Sequence, residues 1–86
     1  MDLNEYCSKY TAASVVTQKL REGATLEACV AAAKEFNSKR PPKAPGEKHV
    51  WGEKPSDIRA HIKWLEKRSV KFQQNGDLFK IVANKA

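Results

Sequence analysis

The 86-residue sequence predicts an α+β fold, mainly helical, in which three or four helices are followed by a C-terminal β-hairpin. Three observations carry that expectation. Apolar residues recur with helical spacing in four blocks up to residue 65, and Asp, Thr, Ser and Gly stand where such blocks begin and end. The last part of the chain then switches to two short alternating runs around an Asn-Gly pair.

The elements follow in order. Asp2 and Glu5 have the spacing of a capping box, and Leu3, Tyr6, Cys7 and Tyr10 lie at i, i+3, i+4 and i+7, which is one face of a short helix. Thr11 caps a second helix with Ala12, Val15, Val16 and Leu20 on its apolar face. Gly23 supplies a stop. Thr25 caps a third helix, with Glu27 in the first turn and Leu26, Cys29, Val30, Ala33 and Phe36 as its buried stripe. Residues 12–37 thus read as helix, three-residue turn, helix. Ser56, with Asp57 behind it, is expected to cap a fourth helix whose core residues are Ile58, Ile62 and Leu65, with His61 beside them. Val70–Gln74 and Asp77–Val82 flank Asn75-Gly76, the strongest short signal for a type I′ hairpin turn. That turn places Phe72 opposite Phe79, Lys71 opposite Lys80 and Val70 opposite Ile81. One face of the hairpin then carries Val70, Phe72, Phe79 and Ile81.

Residues 38–55 differ from the rest. All four prolines (Pro41, Pro42, Pro45, Pro55) fall there, so the stretch is expected to be extended. Trp51 is expected to pin it to the core. The chain is read as one domain over 1–86, with a helical half at 1–37, this basic connection at 38–55, and a helix with its hairpin at 56–86. A chain of this size buries only about 60–65% of its unfolded surface, enough for a single core.

Composition narrows the function classes. Hydrophobic residues make up 41% and charged residues 30%, which suits a globular domain, and no apolar run approaches the ~20 residues of a membrane span. The start of the chain has no secretory-signal pattern, so a cytoplasmic protein is expected. Cys7 and Cys29 are too few for a disulfide framework and read as reduced core residues. Together with His49 and His61 they lack the close pairs that preset a metal site, so no metal and no cofactor are expected. There is no Gly-rich phosphate loop, paired-carboxylate motif or Ser/His/Asp spacing either, so no catalytic residue is assigned and the expectation is a non-enzyme.

Charge is the informative property. Of the net +6, residues 1–37 contribute −1 and residues 38–86 contribute +7, with twelve basic and five acidic side chains in the second part. Arg59, Lys63 and Lys67 lie at i, i+4 and i+8 on the outward side of the fourth helix, flanked by Trp64 and Arg68. Like charges at that spacing cost a few tenths of a kcal/mol per pair, and opposed Lys71 and Lys80 would add to the cost. Folding alone gives no reason for the arrangement, whereas neutralising phosphates does. Lys39, Arg40 and Lys43 add basic residues in the connection. A nucleic acid, with duplex DNA favoured, is the expected partner.

Residues 56–82 resemble the recognition helix and wing of winged helix-turn-helix domains. The resemblance covers about a third of the chain and rests on pattern. It implies a helix in the major groove and a hairpin on the adjacent backbone, with Arg59, Lys63 and Lys67 towards the groove and Lys71 and Lys80 on phosphates. A transcriptional regulator or a phage-type accessory factor fits that implication. Unlike that family, this chain puts a long connection before the reading helix. Leu26–Asn37 is a weaker candidate reader because Glu27 and Glu35 face outward against a lone Lys34. Asn and Gln are absent from the outward face of 56–68, so backbone contacts are expected to dominate. The competing reading is a small protein-binding inhibitor or adaptor that uses Pro41, Pro42, Pro45 and Trp51, within residues 40–51, as a pre-extended docking segment.

Overall fold

The computed structural model describes residues 2–40 and 50–84. Its elements are α1 (Leu3–Cys7), α2 (Ala12–Glu22), β1 (Ala24–Thr25), α3 (Leu26–Lys39), α4 (Pro55–Glu66), β2 (Val70–Asn75) and β3 (Leu78–Asn84). The α+β, mainly helical architecture is the expected one. Helix starts follow local chemistry. The Glu5 N–H donates to Asp2 Oδ1 at 3.2 Å, the Ser14 N–H to Thr11 Oγ1 at 3.1 Å, and the Ala28 N–H to Thr25 Oγ1 at 3.1 Å. At α4 the expectation fails, because Lys54 is the N-cap and Pro55, not Ser56, begins the helix without a side-chain cap. Proline has no N–H to leave unsatisfied and its φ is already helical, so it suits that first position.

The core is built where the helical faces meet. Leu20 and Val16 of α2, Cys29 and Ala33 of α3, and Ile58 and Leu65 of α4 are all fully buried, and Ile62 and Val70 complete the contact. On α2 the buried face is turned slightly from the expected one. Ser14 and Thr17 lie inside and Val15 is half-buried. Tyr10 lies beyond the end of α1 and is 69% exposed, packed edge-on against Phe36 at 4.8 Å. It therefore does not extend the apolar stripe of α1.

Residues 50–53 are held to α3 and α4 by polar contacts and by the Trp51 ring, which packs edge-on against His61 with centroids 5.3 Å apart and stays 38% exposed. Asn37 Nδ2 donates to the Trp51 carbonyl at 3.1 Å and to Glu53 Oε2 at 3.0 Å, and the Gly52 N–H donates to Asp57 Oδ2 at 3.2 Å. Gly52 has φ +86°, and a Cβ there would lie 2.8 Å from Ala33 Cβ. Only glycine satisfies both the turn and the contact.

The sheet has strand order β1-β3-β2, all antiparallel. Its first strand is a finding beyond the hairpin expected. Ala24 pairs with Phe79 and Thr25 with Leu78, so the linker between α2 and α3 closes the sheet. The hairpin turn is also corrected. Asn75 pairs with Leu78, which leaves Gly76-Asp77 as the loop in place of Asn75-Gly76. Gly76 takes φ +63° and Asp77 has no positive φ, the pattern of a type II′ turn, so the one left-handed position falls on glycine. Phe72 then faces Ile81, Gln74 faces Phe79 and Gln73 faces Lys80, and a bulge at Val82 brings Lys71 opposite Ala83. Lys71 and Lys80 are therefore not directly opposed. The inward set of Val70, Phe72, Phe79 and Ile81 survives because moving the turn by one residue preserves the parity of both strands.

The two glycines give a contrast. Gly52→Ala meets both a positive φ and an overpacked contact and is expected to cost about 3 kcal/mol of stability, whereas Gly76→Ala, open to solvent, costs about 1 kcal/mol. Urea unfolding of the two variants checks the order, and equal losses would contradict it.

Candidate nucleic-acid interface

The site is built from the side of α4 that the core leaves over. Ile58, His61, Ile62 and Leu65 are buried, so Arg59, Ala60, Lys63, Glu66 and Lys67 face solvent. The side chains of Arg59, Lys63 and Lys67 make no hydrogen bond or ion pair among the described residues, where the single ion pair is Lys39–Glu35 at 2.9 Å. Their surroundings differ, however. Arg59 lines a cleft of about 400 Å³ whose wall also includes Glu27, Gln74, Asp77 and Phe79. Lys63 and Lys67, further along, lie outside that cleft, with Glu66 exposed beside them.

The remaining sequence candidates are distributed differently. The Arg68 guanidinium lies 3.7 Å from the Trp64 ring centroid, and its Nη1 donates to the Trp64 carbonyl at 3.1 Å. It is a stacked cation beside the row. Lys71 and Lys80 are both exposed, and neither belongs to the inward set of the sheet. The stem of Lys80 runs beside Gly23, where a Cβ would lie 3.7 Å from Lys80 Cδ. Arg59 meets the hairpin tip at Gln74 and Phe79, which belong to the inward side, so the hairpin separates it from Lys80. Lys39 is committed to Glu35, whose carboxyl is held below its usual range by that hydrogen bond while the lysine is raised by it. Arg40 lies 5.8 Å from the Phe36 ring centroid. Lys39 also lines a groove with Tyr10, Val15 and Lys19 between α2 and α3, apart from the outward row of α4. Lys43, Pro41, Pro42 and Pro45 fall outside the described residues.

Behind the cation row lies a polar group that apolar spacing could not disclose. Thr17 Oγ1–H donates to the Ala13 carbonyl at 2.8 Å, so the same oxygen accepts from His61 Nε2–H, also at 2.8 Å. His61 is therefore the Nε2–H tautomer. Tyr6 and Trp64 surround it, with ring centroids at 6.2 and 5.5 Å. Burial pushes the imidazole down to about 4.

No family model matches the chain, and no curated protein or solved structure is significantly similar to it.

The depressed His61 value fixes a pH dependence. Between about pH 6.5 and 4 the unfolded chain binds a proton at this site that the native chain does not. Stability is therefore full above the unfolded value and falls as pH drops through that window, by on the order of 3 kcal/mol from this group. His61→Gln, which keeps a donor for Thr17, is expected to remove most of this slope in unfolding experiments at pH 7, 5.5 and 4. An unchanged slope would place the titration elsewhere.

Proposed function

We propose that the protein binds duplex DNA through the outward face of α4, chiefly by contacts to backbone phosphates. One observation carries the reading. Lys63 and Lys67 stand one turn apart, exposed and without an ion pair among the described residues, on a helix whose opposite face is fixed in the core. Each like-charge pair at that spacing costs a few tenths of a kcal/mol, and release of condensed counterions from phosphates offsets it. Size is compatible as well. A helix with its side chains is about 10–12 Å across and the major groove is about 12 Å wide.

The hairpin supports the winged-helix resemblance. Four residues after the end of α4, Val70 is buried in the shared core, so the hairpin is attached rigidly to the proposed reading helix. Lys71 and Arg68 sit where α4 passes into β2 and extend the basic surface beyond Lys67. Ser56 and Ala60, also outward, offer little for reading base edges, which favours contacts that are weak in sequence preference. A cytoplasmic transcriptional regulator or phage-type accessory factor is the role this reading implies.

Lys63→Ala is expected to weaken binding to a short duplex and to lower the slope of log K against log salt by about one unit. Lys39→Ala should change that slope little, because Lys39 is paired with Glu35. Fluorescence anisotropy over a salt series measures both. An unchanged slope for Lys63→Ala would remove this face from the interface.

A further inference from the structure

A second site lies on a different arc of α4. Ala13, Trp51, Asp57, Ala60, His61 and Trp64 line a recess of about 330 Å³ between α2, α4 and the segment before α4. Two aromatic planes meet there at nearly a right angle. Trp51 stands at 84° to His61 with centroids 5.3 Å apart, while Trp64 lies within 14° of the His61 plane at 5.5 Å. The Trp64 indole already carries one cation, the Arg68 guanidinium, over its ring.

The polar groups of the recess are acceptors of a specific kind. Thr17 takes the Nε2–H of His61, so His61 Nδ1 bears a lone pair; it has no partner among the described residues and is not sealed from solvent. Burial keeps this imidazole unprotonated at neutral pH. Asp57 Oδ2 accepts from the Gly52 N–H, and Oδ1 has no hydrogen bond among the described residues. Among the described residues, neither Lys nor Arg lines the recess. A carboxylate, an imidazole lone pair and indole rings together call for a small cation that also donates N–H bonds.

We infer that this recess binds a primary alkylammonium group, with Asp57 and His61 Nδ1 accepting its N–H bonds and Trp51 and Trp64 flanking its charge and chain. Two of the three N–H donors of such a group match these two acceptors and the third is left to water, whereas a quaternary ammonium would leave both acceptors unused. The inference stands apart from the DNA reading, because it uses none of the outward lysines. A free amine and a lysine side chain of another protein share this chemistry.

The test is an NMR titration of the full chain, following the Trp51 and Trp64 indole N–H signals and the His61 ring nitrogens. The probes are n-butylammonium chloride and Nα-acetyl-lysine methylamide, with n-butanol and sodium chloride as controls. Saturable shifts at all three residues are expected with both ammonium probes and with neither control. Asp57→Asn keeps an acceptor for Gly52 and should weaken binding roughly tenfold. Ala60→Leu, at an exposed helical position, should block the recess if the Asp57 variant fails to fold. Tighter binding of the lysine derivative identifies a protein side chain as the ligand, and equal or tighter binding of n-butylammonium identifies a free amine. Absence of saturable shifts, equal shifts with n-butanol, or unchanged binding by both variants would overturn the proposal.

Discussion

Burial of Ile58, Ile62 and Leu65 is the constraint on which the rest of the molecule depends. Each such side chain is worth about 1.5–3 kcal/mol when taken out of water, against a few tenths for each like-charge pair on the opposite face. Packing therefore decides the rotation of α4 about its axis, and the lysines have no means of turning away from one another. Val70 enters the same core four residues after the end of α4, which fixes the hairpin relative to the helix. The outward row and the attached hairpin are both consequences of one apolar contact. It also lets α4 present unpaired charge without losing its place in the fold.

Much of this was legible in the residues. Asp2, Thr11 and Thr25 act as caps as expected, because capping is a local exchange between a side chain and an N–H three residues away. The core residues of α3 and α4 follow from helical period for the same reason. The strand at Ala24–Thr25 was not legible. Two residues have no period, and their pairing with β3 comes from a part of the chain more than fifty residues away. The hairpin register was missed for a related reason. Alternation distinguishes the two faces of a strand, but a turn at Asn75-Gly76 and one at Gly76-Asp77 give the same faces. What separates them is whether Asn75 takes a positive φ, and a type II′ turn spares it that conformation.

The candidate site was legible in outline and not in its weighting. Spacing alone places Arg59, Lys63 and Lys67 on one face. The cleft that Arg59 shares with Glu27 and Asp77 depends on tertiary neighbours, and the stacking of Arg68 on Trp64 and the pairing of Lys39 with Glu35 depend on side-chain conformations that spacing does not fix. The sheet likewise separates Lys80 from Arg59, although both appear in the sequence as basic residues of one half. His61 is a parallel case. Period puts it near the apolar face, but only Thr17, forty-four residues earlier, explains how an imidazole is held there.

Two arcs of one helix thus carry opposite chemistry. One presents lysines without partners among the described residues; the other, turned towards Trp51, presents a carboxylate and an imidazole lone pair. The segment before α4 is held beside the second arc through the Gly52–Asp57 hydrogen bond and the close approach of Gly52 to Ala33. The central claim is that the lysine arc meets phosphates. Mapping backbone amide shifts of the isotope-labelled chain against a short DNA duplex at low and high salt tests it most directly. The account predicts salt-sensitive shifts along the outward side of α4 and into the start of β2. Shifts confined to the α2–α3 groove, or none at low salt, would contradict it.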